Sequence, residues 1–410
     1  MSALDVSTIE VQPVEGGITA ARGFRASGVA CGIKASGARD LIIVSADRAV
    51  SAAAVFTTNL AQAAPILVSR DRLATSGGHA AAIVVNSGCA NACTGADGMA
   101  HANAMADLTA GALGFDPAAV LVASTGVIGV KLPMSKVERG IQMAADALST
   151  TGGSDAALGI MTTDPFPKEA AVEIVSPKGT FRVGGIAKGS GMIEPMMATM
   201  LGFLTTDAGV APGLLQRALR GAVEDTFNAI TVDGECSTND CVFVLANGAS
   251  GVSLDASDLP LLTAALKAAC EPLAIGIVRG GEGATKLITV NVGGARSDAD
   301  AKRTARAIAN SPLVKTAIHG GDPNWGRLVA VAGRSGAAFA LDRAVVRIGP
   351  VELFSEGVPH DERAPEAAEH MQGRDIEVFV DLGTGGHGQA RMWTCDLSAD
   401  YVRINADYRT

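Results

Sequence analysis

Seven short runs rich in β-branched residues, at 41–44, 81–85, 120–123, 242–245, 287–292, 345–348 and 376–380, alternate with stretches of helical spacing. Strands repeat every two residues and helices every 3.6, so a chain that keeps switching period must layer helices against sheets. Apolar residues recur at intervals of three and four over 134–148, and 214–227 is amphipathic. Ser257 and Pro260 open a further helix to about residue 275, and Ser297-Asp298-Ala299-Asp300 reads as the N-cap of one over 301–309. The pattern predicts an α/β chain. Hairpin-like strands near the C-terminus predict mixed rather than all-parallel sheets. The softest stretches are 150–154 and 357–367, with no repeat or low-complexity linker.

Composition narrows the function. Of 410 residues 48% are hydrophobic, 18% are charged and 49 are glycine, which describes a large packed core with many tight turns. A net charge of −9 without a Lys/Arg cluster argues against a nucleic-acid partner. No run of eighteen uncharged apolar residues has the length of a bilayer helix. Residues 1–6 carry acid and no basic stretch ahead of an apolar run, so no secretory signal is expected and a cytoplasmic location is. The seven cysteines, an odd number with no CxxC, are expected to be buried free thiols of a reducing compartment rather than metal ligands.

Several segments carry chemistry. The run Gly185-Ile186-Ala187-Lys188-Gly189-Ser190-Gly191 is followed by a methionine-rich stretch and an Ala198-Thr199 bond. A threonine hydroxyl needs a neighbouring base. Cutting the chain before Thr199 would supply one, because an α-amine with a pKa of about 7.7–8.0 can take the hydroxyl proton. Taken alone, a threonine in an apolar run is more often a core residue. Ser124-Thr125-Gly126-Val127-Ile128-Gly129 ends a strong strand, and such a turn can aim a hydroxyl and a backbone N–H at one oxyanion; the plainer reading is a strand-to-helix turn.

Met161-Thr162-Thr163-Asp164 reads as a polar turn or a hydroxyl-lined substrate contact. Glu282 lies in a glycine-dense loop, where backbone can approach a ligand closely. The segment 319–327 is too specific for an idle loop, and 405–410 has no charged, frayed tail and so is expected to pack. Gly383-Thr384-Gly385-Gly386-His387-Gly388 matches GxGxxG, but 389–395 alternates like a strand, so a hairpin loop is expected and not a dinucleotide site.

Taken in order, Asn86-Ser87-Gly88-Cys89-Ala90-Asn91, 124–129, 161–164, 188–201, 281–286, 322–327 and 405–410 resemble the ornithine acetyltransferases of arginine biosynthesis, the ArgJ family, over essentially the whole chain. The resemblance implies an α-β-β-α layered fold like that of DmpA and ArgJ. It also implies autocatalytic cleavage into an α chain, 1–198, and a β chain, 199–410, assembled as two of each. Thr199 would take the acetyl group of N2-acetyl-L-ornithine and pass it to L-glutamate by a ping-pong route. Thr125 and Gly126 match the oxyanion pair; Thr162, Lys188, Thr199, Glu282, Asn405 and Thr410 match the substrate contacts; Ala198 and Thr199 flank the cut. No metal or other cofactor is implied, since the acetyl group passes from amide to ester to amide. Acetyl-CoA is an alternative donor in some members. The chain departs from the commoner pattern in Glu194 and Met196-Met197 around Pro195, which bears on substrate preference. Two other readings remain open on the residues: an N-terminal-nucleophile amidohydrolase or related acyltransferase of secondary metabolism, and an uncleaved binding protein.

Overall fold

The computed structural model describes residues 9–194 and 200–407; Thr199, the Ala198-Thr199 bond and Thr410 lie outside the described residues. The chain divides into two compact units, one drawn from residues 9–228 and 235–277 and the other from 229–234 and 278–407.

The first unit holds β1 (Glu10–Pro13), β2 (Arg25–Val29), β3 (Leu41–Phe56), α1 (Ala64–Thr75), β4 (His79–Cys89), α2 (Gly95–Leu113) and β5 (Val120–Val127). It continues with α3 (Met134–Asp146), α4 (Gly153–Ile160), β6 (Lys168–Ser176), β7 (Gly179–Lys188), β8 (Leu201–Thr206) and β9 (Gly209–Val210). Next come α5 (Pro212–Glu224), β10 (Cys241–Ala246), β11 (Ser253–Leu254) and most of α6 (Leu259–Arg279). Nine strands make one mixed sheet in the order β1-β6-β7-β8-β10-β3-β4-β5, with β2 pairing β3; β9 and β11 form a separate parallel pair.

The strand runs that read as continuously apolar do so because both faces are buried. Ile42, Val44, Ile83, Val85, Leu121 and Ala123 join one cluster with Phe203, Phe243 and Ile160 of α4. Their alternates Leu41, Ile43, Ala82, Val84, Val120 and Val122 join another, with Met105 and Ala106 of α2 and Val137 and Ile141 of α3. Each of the larger side chains among them, Val, Leu, Ile, Phe or Met, stabilises the fold by about 1.5–3 kcal/mol on burial. Gly159 lets α4 seat against β3, since a Cβ there would stand 2.2 Å from Ile42 Cγ2. In α6 and the turn before it, 256–279 has the length and mean hydropathy (1.7) of a membrane span. A little over half of that window, 56%, is buried within the protein, and Lys267 and Glu271 interrupt it.

The second unit holds β12 (Leu287–Ala295), α7 (Asp298–Ala309), α8 (Pro312–Gly320), α9 (Trp325–Arg334), β13 (Val345–Ile348), β14 (Val351–Ser355) and β15 (Val358–Pro359). It ends with α10 (Ala364–His370), β16 (Asp375–Asp381), β17 (Gly388–Cys395) and α11 (Ala399–Asp407). Ser297 caps α7 as the sequence predicts, its hydroxyl accepting from Asp300 N–H. The sheet order is β15-β14-β13-β16-β12-β17.

That order corrects one expectation. Residues 383–388 are not a hairpin loop, because β16 and β17 do not pair with each other. β12 lies between them, parallel to β16 and antiparallel to β17. The connection crosses the end of β12, where Leu382 N–H donates to Gly293 O and both Thr384 N–H and its hydroxyl donate to Gly294 O. The glycines serve that crossing: a Cβ on Gly386 would stand 2.0 Å from Ala295 O.

Candidate active site

In the first unit the site grows from the ends of β4, β5 and β7. The turn expected after residue 124 is instead a β-bulge inside β5, where Cys89 stands opposite both Thr125 and Val127. Gly126 adopts φ +128°, open to glycine alone, and a Cβ there would stand 2.3 Å from the Gly88 carbonyl carbon. A bulge takes its extra peptide out of the ladder, which frees this backbone to face a ligand. The segment 86–91 buttresses it: Ser124 Oγ donates to Asn86 Oδ1 (2.6 Å) and Asn86 Nδ2 to Cys89 O (2.8 Å). Buried Asn239, just before β10, donates to both Ala90 O (2.7 Å) and Ser124 O (2.9 Å).

Lys188, the last residue of β7, sends its ammonium to Thr125 Oγ1 at 3.3 Å. An ammonium has only protons to give, so Thr125 accepts here and its own O–H is free to donate elsewhere. Leu201, the third residue after the expected cleavage point, is the register partner of Lys188, and Met200 is buried beside Gly189.

Asp164 organises the turn after α4. Its Oδ1 accepts Lys168 Nζ (2.6 Å) and Gly189 N–H (2.8 Å), and its Oδ2 accepts Thr162 N–H (3.0 Å). The polar turn therefore has a structural duty: Asp164 ties Thr162 to the strand end that carries Lys188. Burial pushes the Asp164 carboxyl up, but the charges of Lys188 and Lys168 with these hydrogen bonds outweigh it and hold it at about 2. Burial also pulls the Lys168 ammonium below its usual range, against the support of Asp164.

In the second unit Glu282 is buried and accepts from Asn405 Nδ2 at 2.9 Å, so two expected contacts meet. Gly283 (φ +69°) packs on α11, where a Cβ would lie 2.5 Å from Tyr401 N. Glycine here serves close approach to a helix. Asp396 anchors the loop by accepting Thr285 and Lys286 N–H (2.7 and 2.8 Å), the Thr285 hydroxyl and His319 Nδ1 (2.7 Å). Segment 319–327 is structural in the described residues. Asn324 caps α9, Trp325 stacks on Phe354 and donates to Asp361, and Arg327 donates to Leu313 O.

Thr125 and Lys188 are brought together, as are Glu282 and Asn405. Thr162 joins the first group through Asp164. Asp164, Lys168 and Asn239 were not singled out as site residues from the sequence; the Asp-x3-Lys spacing was a faint signal, and Asn239 had none. Among the described residues no His/Cys/Asp/Glu cluster could hold a metal ion. The cysteines are free thiols, but Cys93 is exposed and Cys236 half-buried, which corrects the expectation of uniform burial.

The sequence model of the ArgJ family matches residues 25–410. Arginine biosynthesis bifunctional protein ArgJ of Thermosynechococcus vestitus is 47% identical over 97% of this chain and 99% of its own. That of Symbiobacterium thermophilum is 48% identical over 96% and 99%. Among solved structures, ArgJ of Bacillus halodurans matches with 44% identity and a TM-score of 0.49, covering 51% of this chain and 100% of that one. Ornithine acetyltransferase of Mycobacterium tuberculosis, complexed with ornithine, matches with 41% identity and a TM-score of 0.43, covering 46% and 100%. The chain belongs to the ArgJ family. It is an enzyme, an acetyltransferase of that family.

Proposed function

We propose that the chain transfers the acetyl group of N2-acetyl-L-ornithine to L-glutamate through an acetyl ester on Thr199, after cutting itself between Ala198 and Thr199. The observation that carries this reading is the Lys188–Thr125 contact on the Gly126 bulge, with Lys188 in register with the strand that follows Thr199. The Thr199 hydroxyl adds to the acetyl carbonyl and gives its proton to its own α-amine. The Thr125 hydroxyl and Gly126 N–H hold the oxyanion. The C–N bond breaks, ornithine leaves with the proton, and the glutamate α-amine then attacks the ester and restores the hydroxyl.

Amide, ester and amide are close in energy, so the transfer is assigned no metal or other cofactor, and acetyl-CoA is the alternative donor for direct acetylation of glutamate. Lys188 and Thr162 serve the amino-acid substrate, and Glu282 with Asn405 the cationic ornithine side chain, for which a buried carboxylate is the fitting partner; Thr410 completes the contacts. Two α chains (1–198) and two β chains (199–410) make up the working enzyme, placed in the cytoplasm.

Intact mass spectrometry with N2-acetyl-L-ornithine alone tests the reading. An acetyl adduct confined to the fragment that begins at Thr199 is expected. A single full-length species without adduct refutes it. Acetate release that ignores added glutamate would mark a hydrolase instead.

A further inference from the structure

One lysine beside the bulge has no role in the scheme above. Lys34 closes the turn after β2, and buried Asp40 clamps that turn by accepting the amides of Cys31 (2.7 Å), Gly32 (3.0 Å) and Lys34 (3.0 Å). The Lys34 stem lies over Gly88, where a Cβ would stand 3.1 Å from Lys34 Cγ, and Gly88 in turn backs Gly126. The ammonium donates to Arg39 O at 2.6 Å, which uses one of its three protons.

Around it the charges do not balance. Lys34, Lys168 and Lys188 face two carboxylates, Asp40 and Asp164, and both are committed, Asp40 to three amides and Asp164 to Lys168 and two amides. Burial and the neighbouring Lys188 charge, against the pull of Asp40 and Asp164, bring the Lys34 ammonium down to about 8. From α3, Lys136 and Arg139 reach the carbonyls of Gly32 and Cys31 in the same turn, adding positive charge. A cluster with surplus cations attracts an anion.

We propose that Lys34 is a second carboxylate-binding residue of the transfer site, sharing with Lys188 the α-carboxylate common to the donor and acceptor amino acids. This rests on the transfer reading given above. One carbon separates an α-carboxylate from the α-nitrogen, so fixing the carboxylate fixes the nitrogen that loses or gains the acetyl group. Lys34 binds only while protonated. Affinity is therefore full below its free value of about 8 and lost as pH rises beyond it.

The test is Lys34→Met, which keeps the stem on Gly88, measured against N2-acetyl-L-ornithine and its α-carboxamide. Wild type is expected to show a KM for the carboxylate that rises above about pH 8, and a KM for the carboxamide about 10- to 100-fold higher at neutral pH, the scale of one lost charged hydrogen bond. Lys34→Met raises the KM for the carboxylate about tenfold or more, with a smaller change in kcat, and loses both the alkaline rise and most of the discrimination; Lys34→Arg restores them in part. A variant that cleaves and transfers with wild-type KM and discrimination overturns the proposal. So does a wild type indifferent to carboxamide and to alkaline pH, even if no variant folds. A wild type that releases no ornithine overturns the transfer reading instead.

Discussion

Replacing Asp164 by Asn tests whether the buried charge pair after α4 holds the site together. The Asp164 and Lys168 side chains are 0% and 2% exposed, so the substitution leaves a buried ammonium without its counter-charge. Removing one partner of a buried pair costs about 3–5 kcal/mol. The depressed carboxyl points the same way. The carboxyl lies near 2 against an ordinary 3.8, so at about 1.4 kcal/mol per unit the native surroundings favour its charged form by roughly 2–3 kcal/mol. For a unit of this size each kcal/mol moves Tm by about 2–4 °C, so Asp164→Asn should lower the melting temperature by about 6–20 °C at neutral pH.

The assay is thermal unfolding followed by circular dichroism, on the single variants Asp164→Asn and Lys168→Met and on the double variant. Lys168→Met, harmful alone, should stabilise the Asp164→Asn background, with a coupling of about 1–3 kcal/mol. The pH dependence has a definite sign. A depressed carboxyl contributes stability above its unfolded value near 3.8 and loses it as pH falls toward 2; that loss should be shallower in Asp164→Asn. A melting temperature within about 2 °C of wild type, or effects that simply add, would refute the argument.

Three further outcomes follow from the site. Thr199→Ala should give one uncleaved band on denaturing electrophoresis and no acetyl transfer, because one oxygen serves both steps; cleavage in that variant would remove Thr199 from the scheme. Thr125→Ala should slow transfer about 10²–10³-fold, as loss of one oxyanion donor does, while an unchanged kcat would exclude the hydroxyl from that role. Asn239→Ala should leave two buried carbonyls, Ala90 O and Ser124 O, without this donor at a cost of about 1–3 kcal/mol each; a denaturation midpoint equal to wild type would show that the bulge does not depend on it.

What the amino-acid order determined by itself was whatever is written locally. The β-branched runs at 41–44, 81–85 and 120–123 became β3, β4 and β5, because such side chains favour extended backbone and alternate residues of each feed two cores. The Ser297 cap was legible for the same reason, since hydroxyl and amide lie within one turn. The ordered motifs likewise placed the chain in its family.

Tertiary structure alone decided who stands beside whom. Asp164 meets Gly189 across 25 residues, Asn239 meets Ser124 across 115, and Lys34 lies over Gly88. β12 enters between β16 and β17, although nothing in 383–388 announces it. Periodicity and propensity act over a few residues, whereas strand order and register are settled by which faces the whole sheet can bury. The charges that shape this site are therefore neighbours only once that sheet has formed.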